Sequence, residues 1–359
     1  MQNEFRYHSG RGHDSGQGDP STIVANATKA LSLCRSGAIH DGIRLYKQIL
    51  KYDLRKILPI SFHLRSLENM GLNDVAAAIR LEAIMAGQNL CLKAGFNKPP
   101  LEVVTEYREL FAQGIVNSRM VADYLIELSK LGETTELASF LDVDRFVRCV
   151  ELSITDDGMR GEKFWEIIAA SLLEGRTDHN WEEEVHSIRG MHRIPRLEQH
   201  DDKQIQRLLG EIRPHVDRYV ADLRTNGQSI SPWIPQKYYV TSWALISSGY
   251  GYVVPHIHCF GWITGVLYIA GPNEIGPDGY PVGALRIGPP KAAANEVGWP
   301  DVAIAPKPGT LVLFPSYFTH WTLPLGKPAL RISIAFDVFD LLIAADEDQV
   351  TASNDIAFS

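Results

Sequence analysis

No apolar run in the sequence approaches the roughly 18–20 residues that a membrane-spanning helix needs, so no membrane partner is expected. Met1 to Pro20 is polar and rich in Gly, Ser and His, without the apolar core of a secretory signal. Cysteine is scarce. Cys34, Cys91, Cys149 and Cys259 lie far apart and form no Cys-x-x-Cys pair, which argues against a disulfide framework or a structural zinc knuckle. A reducing cytoplasm is the simplest compartment. A positive excess is also missing: Lys+Arg total 35 against 43 for Asp+Glu, a formal charge of -8. Nucleic-acid affinity rests on Lys and Arg neutralising phosphates, so no nucleic-acid partner is expected.

What is present suits a globular protein with a sizeable core: 359 residues, 45% hydrophobic and 22% charged. At roughly 100–200 residues per domain this length predicts two domains. Residues 1–20 read as a flexible leader. Residues 21–141 have a helical texture, with apolar residues three and four apart and little β-branched alternation. Leu33-x-x-x-Gly37 and Leu67-x-x-x-Gly71 lie 34 residues apart, each followed by a second helical run, Ile43–Leu50 and Val75–Ala86. Cys91-x-x-x-Gly95 and Leu128-x-x-x-Gly132 echo the same ending out of phase. A 34-residue helix-turn-helix period is that of tetratricopeptide repeats; an irregular helical bundle is the other reading. Residues 142–343 change character. A strand is expected within Arg145–Ile154, and helices over Gly161–Glu174 and Asp201–Arg224, the second capped by Asp201 or Asp202. Strands are then predicted at Tyr238–Leu245, Tyr252–Ile257, Ile263–Ala270, Ala284–Ile287, Thr310–Phe314 and Leu330–Val338, separated by Gly and Pro turns. Such spacing indicates a sandwich or barrel. Pro289–Pro308 reads as a long loop and 344–359 as a polar tail.

The chemistry concentrates at Pro255-His256-Ile257-His258. On a strand, residues i and i+2 share a face, so His256 and His258 can aim two imidazoles at one point while Cys259 turns away. A third histidine, His320, follows the second strand Gly309-Thr-Leu-Val-Leu-Phe-Pro315 just past a turn. Three imidazoles on one face make a metal site with open positions, and nitrogen ligands suit Fe, Zn, Cu or Ni. Eleven residues on comes Arg331, sharing a strand face with Ser333. A guanidinium directed into an apolar barrel needs a partner, because an unpaired buried charge is costly. A bound dicarboxylate and a structural salt bridge are the two candidates. Trp243, Trp262, Tyr268, Arg286, Tyr317 and Trp321 lie near these motifs and could line a pocket; for the aromatics, core packing is the competing reading. The remaining histidines, including His179, His186, His192, His200 and His215, have no ligand spacing and read as surface residues.

Ser242-Trp243-Ala-Leu-Ile, Pro255-His-Ile-His258, Trp262-Ile-Thr-Gly265-Val-Leu-Tyr268, Pro308-Gly-Thr-Leu-Val-Leu-Phe-Pro-Ser316, His320 and Arg331-Ile-Ser-Ile-Ala-Phe resemble, in that order, the Fe(II)/2-oxoglutarate-dependent oxygenase superfamily. The resemblance covers about residues 200–340. It is nearest to the branch that carries an N-terminal tetratricopeptide-like helical region. It implies an α+β protein with a double-stranded β-helix, a jelly-roll or cupin-like barrel, behind the helical domain. It implies Fe(II), 2-oxoglutarate and O2 as cofactor and cosubstrates, with His256, His258 and His320 as metal ligands. Arg331 becomes the clamp for the distal carboxylate of 2-oxoglutarate, with Ser333 and Tyr268 assisting. Most of the superfamily has Asp where His258 stands; three neutral imidazoles leave the iron site at a charge of +2 in place of +1. The implied reaction hydroxylates an unactivated C–H bond of an amino acid, a peptide or protein, or a secondary metabolite, releasing succinate and CO2. Trp243, Trp262, Arg286, Tyr317 and Trp321 become candidate substrate contacts. Metal binding needs neutral imidazoles, so activity is expected to fall below about pH 6.

Two rivals remain at this level. A cupin-type metalloenzyme would use the same barrel without 2-oxoglutarate. Gly309, Pro315 and His320 fit its second motif, but Tyr317 and Pro324 replace its Gly and Asn, and Cys259–Gly265 contains no acid. A non-catalytic reading makes the helices a protein-binding scaffold and the barrel a ligand sensor. The helical region could equally serve a protein partner or self-association.

Overall fold

The three Leu-x-x-x-Gly segments can be followed in the structure, and all three are helix stops. In the computed structural model the described residues are 20–51, parts of 63–83, 99–154 except 113 and 115, 161–174, 187–340 except 227, 228 and 260, and 355–357. The Ala38 amide donates to Leu33 O at 2.9 Å, Leu72 to Leu67 O at 2.9 Å and Glu133 to Leu128 O at 3.2 Å. The glycine before each of these donors is left-handed, with φ of 87° at Gly37, 76° at Gly71 and 72° at Gly132. This is the Schellman closure, in which the amide two residues past the helix bonds back to its last turn. The 34-residue echo therefore records a stop signal, and Gly132 uses the same signal in the other unit. The Cys91–Gly95 echo lies outside the described residues, as do His179, His186, the leader up to residue 19 and positions 341–354.

The chain divides into two compact units, Met1–Leu90 and Cys91–Ser359. In the first, α1 (Pro20–Arg35) and α2 (Ile39–Ile49) form a hairpin around Ala27, Ala30, Cys34, Tyr46 and Ile49. Gly42 lets the helices approach, since a Cβ there would sit 2.4 Å from Cys34 Sγ. Leu64, Leu67, Ala76 and Ile79 join this core. A tetratricopeptide array is not established by these residues.

The helices α3 (Pro100–Ala112), α4 (Ser118–Leu131) and α5 (Thr134–Leu141) share the second unit with the sheets, so the expected helical segment 21–141 is divided near residue 90. The reason is specific anchoring: Ser118 donates to Gly261 O, and the Tyr317 hydroxyl to Phe140 O at 2.8 Å. The helices α6 (Gly161–Glu174) and α7 (Lys203–Thr225) follow. Asp202 caps α7, accepting from the amides of Gln204 and Ile205.

The strands are β1 (Arg148–Glu151), β2 (Ile188–Arg189), β3 (His192–Pro195), β4 (Tyr238–Ser248), β5 (Tyr252–Val253), β6 (His256–His258), β7 (Ile263–Ala270), β8 (Leu285–Ile287), β9 (Val302–Ile304), β10 (Thr310–Pro315), β11 (His320–Thr322), β12 (Leu330–Asp340) and β13 (Asp355–Ala357). A six-stranded sheet runs β1-β10-β7-β12-β4-β3, a five-stranded sheet runs β13-β6-β11-β8-β9, and β2 pairs with β5. Every pairing is antiparallel, the arrangement of a two-sheet jelly roll. Alternation gives the large sheet two faces. Thr264, Val266 and Tyr268 of β7 look into the space between the sheets, while α6 packs on this strand. Gly265 is required by close approach: a Cβ there would lie 2.0 Å from the Phe336 ring.

Four sequence expectations change. The predicted strand Tyr252–Ile257 is two strands in different sheets, parted at Val254-Pro255, where the Val254 amide bonds to Ser187 O and Pro255 has no amide hydrogen. The loop 289–308 contains β9, which extends the small sheet beside β8. Part of the expected polar tail forms β13, paired with β6. His192, expected at the surface, is fully buried on β3 opposite Ile246 of β4.

Candidate metal centre and the cavity beside it

His256 and His258 leave β6 on the same face, and β11 pairs directly with β6 at His320–His256. One register thus brings the three imidazoles together. All are buried, at 4%, 2% and 4% exposure, and one ligand atom of each lies within 4.8 Å of those of the others. Their outer nitrogens are tied down. His256 Nδ1 donates to Val254 O and His320 Nδ1 to Phe318 O, both at 2.9 Å, and His258 Nδ1 donates to the Asp337 carboxylate at 2.6 Å. A ring that donates through Nδ1 presents a bare lone pair at Nε2. The Nε2 atoms of His256 and His258 stand 3.0 Å apart. Two lone pairs at that distance repel unless a cation lies between them. Nitrogens about 2.0–2.1 Å from one ion and at right angles would be about 3 Å apart. Burial, and then the two neighbouring imidazoles, push His320 well below the usual imidazole range, so its ring is neutral at neutral pH. The donor set, its tautomers and its outer partners all fit a divalent transition metal.

The Trp243 ring stacks on His258 with centroids 5.8 Å apart, and Phe314 meets His320 edge-on at 4.8 Å. From the imidazoles a cavity of about 500 Å³, its open mouth included, extends between the sheets. Trp243, Leu245, Thr264, Val266, Tyr268, Ser333 and Ala335 line it from the large sheet; Leu285, Trp321 and Thr322 line it from the small one.

Arg331 lies behind this lining and is 1% exposed. Among the described residues it has no salt-bridge partner. Its Nη1 donates to Gly283 O and Leu323 O, both at 2.9 Å, and its Nη2 to Gly251 O at 3.2 Å and Thr322 Oγ1 at 3.0 Å. Burial pulls its pKa down, with Tyr268 acting the opposite way. The guanidinium is thus hydrogen-bonded without being neutralised. Next to it the Tyr268 hydroxyl is buried with no hydrogen-bond partner, and burial pushes its pKa up to about 12. Tyr268 stands opposite Ser333 in the β7–β12 register. This end of the cavity fits an anionic group: a positive charge behind, with a hydroxyl donor free in front.

The other expected contacts separate. Trp243 and Trp321 line the cavity. Trp262 is buried against Trp233, and Tyr317 is buried and bonded to Phe140 O. Arg286 pairs with Asp301 and lies over the Tyr280 ring at 4.0 Å. These three are not among the lining residues. Asp337 was missed by the sequence reading. Two-residue alternation from Ser333 through Ala335 reaches it, and an acid at that spacing in an apolar strand was the available signal.

Two antiparallel sheets enclose three convergent imidazoles, a cluster that could hold a metal ion. Residues 241–337 match a family model described as "Putative 2OG-Fe(II) oxygenase", a family whose name carries both the iron and the cosubstrate. The matched stretch includes the three histidines, Tyr268, Arg331 and Ser333 and ends on Asp337. No curated protein matches the chain. Among solved structures, a prolyl-4-hydroxylase from Pseudomonas putida is similar at 12% identity, over 60% of this chain and 98% of that one, with a TM-score of 0.38. A Trichoplax adhaerens prolyl hydroxylase, solved with a hypoxia inducible factor peptide fragment, gives 17%, 62%, 96% and 0.40. The alpha ketoglutarate dependent epimerase SnoN of nogalamycin biosynthesis gives 14%, 58%, 84% and 0.39.

Proposed function

We propose that the protein is an Fe(II)- and 2-oxoglutarate-dependent oxygenase in which His256, His258 and His320 hold the metal, and that its outcome is hydroxylation of a C–H bond in a small molecule or peptide. The observation that carries this reading is the convergence of three buried Nε2 lone pairs whose outer nitrogens are all hydrogen-bonded. Iron held by His256, His258 and His320, with 2-oxoglutarate, would supply oxygen activation coupled to decarboxylation, with succinate and CO2 as co-products. The protein's part is positional. The outer acceptors fix the tautomer that bares Nε2 and keep each imidazole aimed inward. Arg331 supplies positive potential for the distal carboxylate, and the Tyr268 and Ser333 hydroxyls face it from the lining. The apolar wall of Val266, Leu245 and Ala335 would limit water around a bound cosubstrate. Trp243 and Trp321 are the candidate substrate contacts, since both line the cavity beside the imidazoles.

The test is anaerobic reconstitution with Fe(II) and 2-oxoglutarate. The expected result is a visible charge-transfer band from the chelate, followed on oxygen exposure by succinate release that rises with a substrate from a panel of amino acids and peptides. Metal uptake without that band would favour the cupin-type reading. The use of Arg331 Nη1 and Nη2 by main-chain carbonyls is the observation on its side.

A further inference from the structure

The three imidazoles are not oriented by the same means. His256 and His320 each donate to a carbonyl two residues earlier in their own segment. These two bonds are local and form whenever the strands form. His258 donates instead to Asp337, 79 residues away on β12. Asp337 is 0% exposed and is the only buried carboxylate among the described residues. A charge buried so completely is retained only when it is hydrogen-bonded and compensated. Here the donors are in place. Thr264 Oγ1, directly opposite Asp337 in the β7–β12 register, donates to its Oδ1 at 2.8 Å. Ser316 Oγ lies 2.9 Å from the same threonine hydroxyl. Gly261 closes over the cluster, since a Cβ there would come within 2.9 Å of Ser316 Oγ and 3.3 Å of Asp337 Cγ. Both carboxylate oxygens therefore accept from a donor.

We propose that Asp337 is the positioning residue of the metal centre, holding His258 by Nδ1 and supplying from behind that ring the negative charge that the all-imidazole ligand set lacks. This rests on the metal centre proposed above and deepens it. The carboxylate fixes the tautomer that bares Nε2 and makes the ring a stronger donor toward a cation. Its charge offsets part of the charge that a divalent ion brings into a buried site. Thr264 and Ser316 keep the carboxylate in line with the ring.

Co(II) titration of the full chain tests this, read by the visible d–d spectrum of the histidine-ligated ion and by the dissociation constant. Wild type is expected to bind one equivalent. Asp337→Asn keeps an acceptor oxygen for His258 and removes the charge; it is expected to weaken Co(II) binding by about 10- to 100-fold and to shift the d–d bands. Thr264→Val leaves the carboxylate and is expected to have a smaller effect in the same direction. Asp337→Asn that folds, binds Co(II) within twofold of wild type and gives an unchanged spectrum would overturn the proposal while leaving the metal centre intact. Wild type that binds no Co(II) would overturn both readings. Because a buried substitution can fail to fold, proton NMR of the wild type gives a second readout. The Nδ1–H resonance lost in His258→Gln is expected farther downfield than those of the other two imidazoles, and a resonance level with theirs would reject a charged partner.

Discussion

At one end of the cavity three imidazoles turn their outer nitrogens to acceptors and leave their inner nitrogens bare. At the other end Arg331 has its Nη donors hydrogen-bonded and its charge unpaired, with the Tyr268 hydroxyl left over in front of it. The first end is complementary to a cation and the second to an anion. The difference lies in which groups are already satisfied. Metal ligands must keep an unfilled lone pair, so the surrounding protein bonds only their far side. A buried guanidinium must be solvated by something at all times, so main-chain carbonyls hold it whether or not a carboxylate is present. Its contribution to binding is then field more than direct contact, and the direct contacts fall to neighbours such as Tyr268.

Substitutions at the two ends sharpen this contrast. The largest effect is expected from His320→Ala, which removes a ligand: stoichiometric Co(II) binding should disappear, a greater loss than the roughly 10- to 100-fold typical of an outer partner, and retained tight binding would break the cation end of the comparison. Arg331→Met comes next, and its effect is on stability. It strands the carbonyls of Gly283 and Leu323, while Gly251 O keeps its bond from Ser247 Oγ; each abandoned acceptor costs about 1 kcal/mol or more, so urea denaturation should show a loss of about 2 kcal/mol or more. A variant as stable as wild type would mean the carbonyls are solvated by other means. Tyr268→Phe should be stable, because it deletes a hydroxyl that has no partner, yet 2-oxoglutarate affinity measured by calorimetry on the metal-loaded protein should fall about tenfold. Equal affinity would remove Tyr268 from the anion end. Ser333→Ala should change the same affinity by no more than about threefold, the scale of one weak neutral hydrogen bond.

Much of this was legible before any coordinates. His-x-His on a strand sets two imidazoles on one face because side chains alternate, and the run from Gly309 to His320 pointed to a third. Helix Gly161–Glu174 and the Asp202 cap were readable because their signals are local. What escaped was non-local. The pairing of β6 with β13 joins segments nearly a hundred residues apart. Asp337 matters only because β12 lies beside β7, which puts it across from Thr264. His192 carries no periodic signal that separates a buried strand position from an exposed one, and β3 is only four residues long. The helices up to residue 141 looked like one domain because helical texture does not reveal what a helix packs on; Ser118 and Phe140 bind the barrel through single hydrogen bonds that no pattern encodes.

The pairing of β13 with β6 bears on how a partner could approach. The strand that carries His256 and His258 would otherwise be the outermost of the small sheet, its amides and carbonyls open to any extended chain that came alongside. Asp355–Ala357 already fills that position, in register from Asp355 against His258 to Ala357 against His256. An incoming peptide therefore cannot pair with β6 itself by strand addition unless those three residues first leave, and the cavity mouth is a route that needs no such exchange.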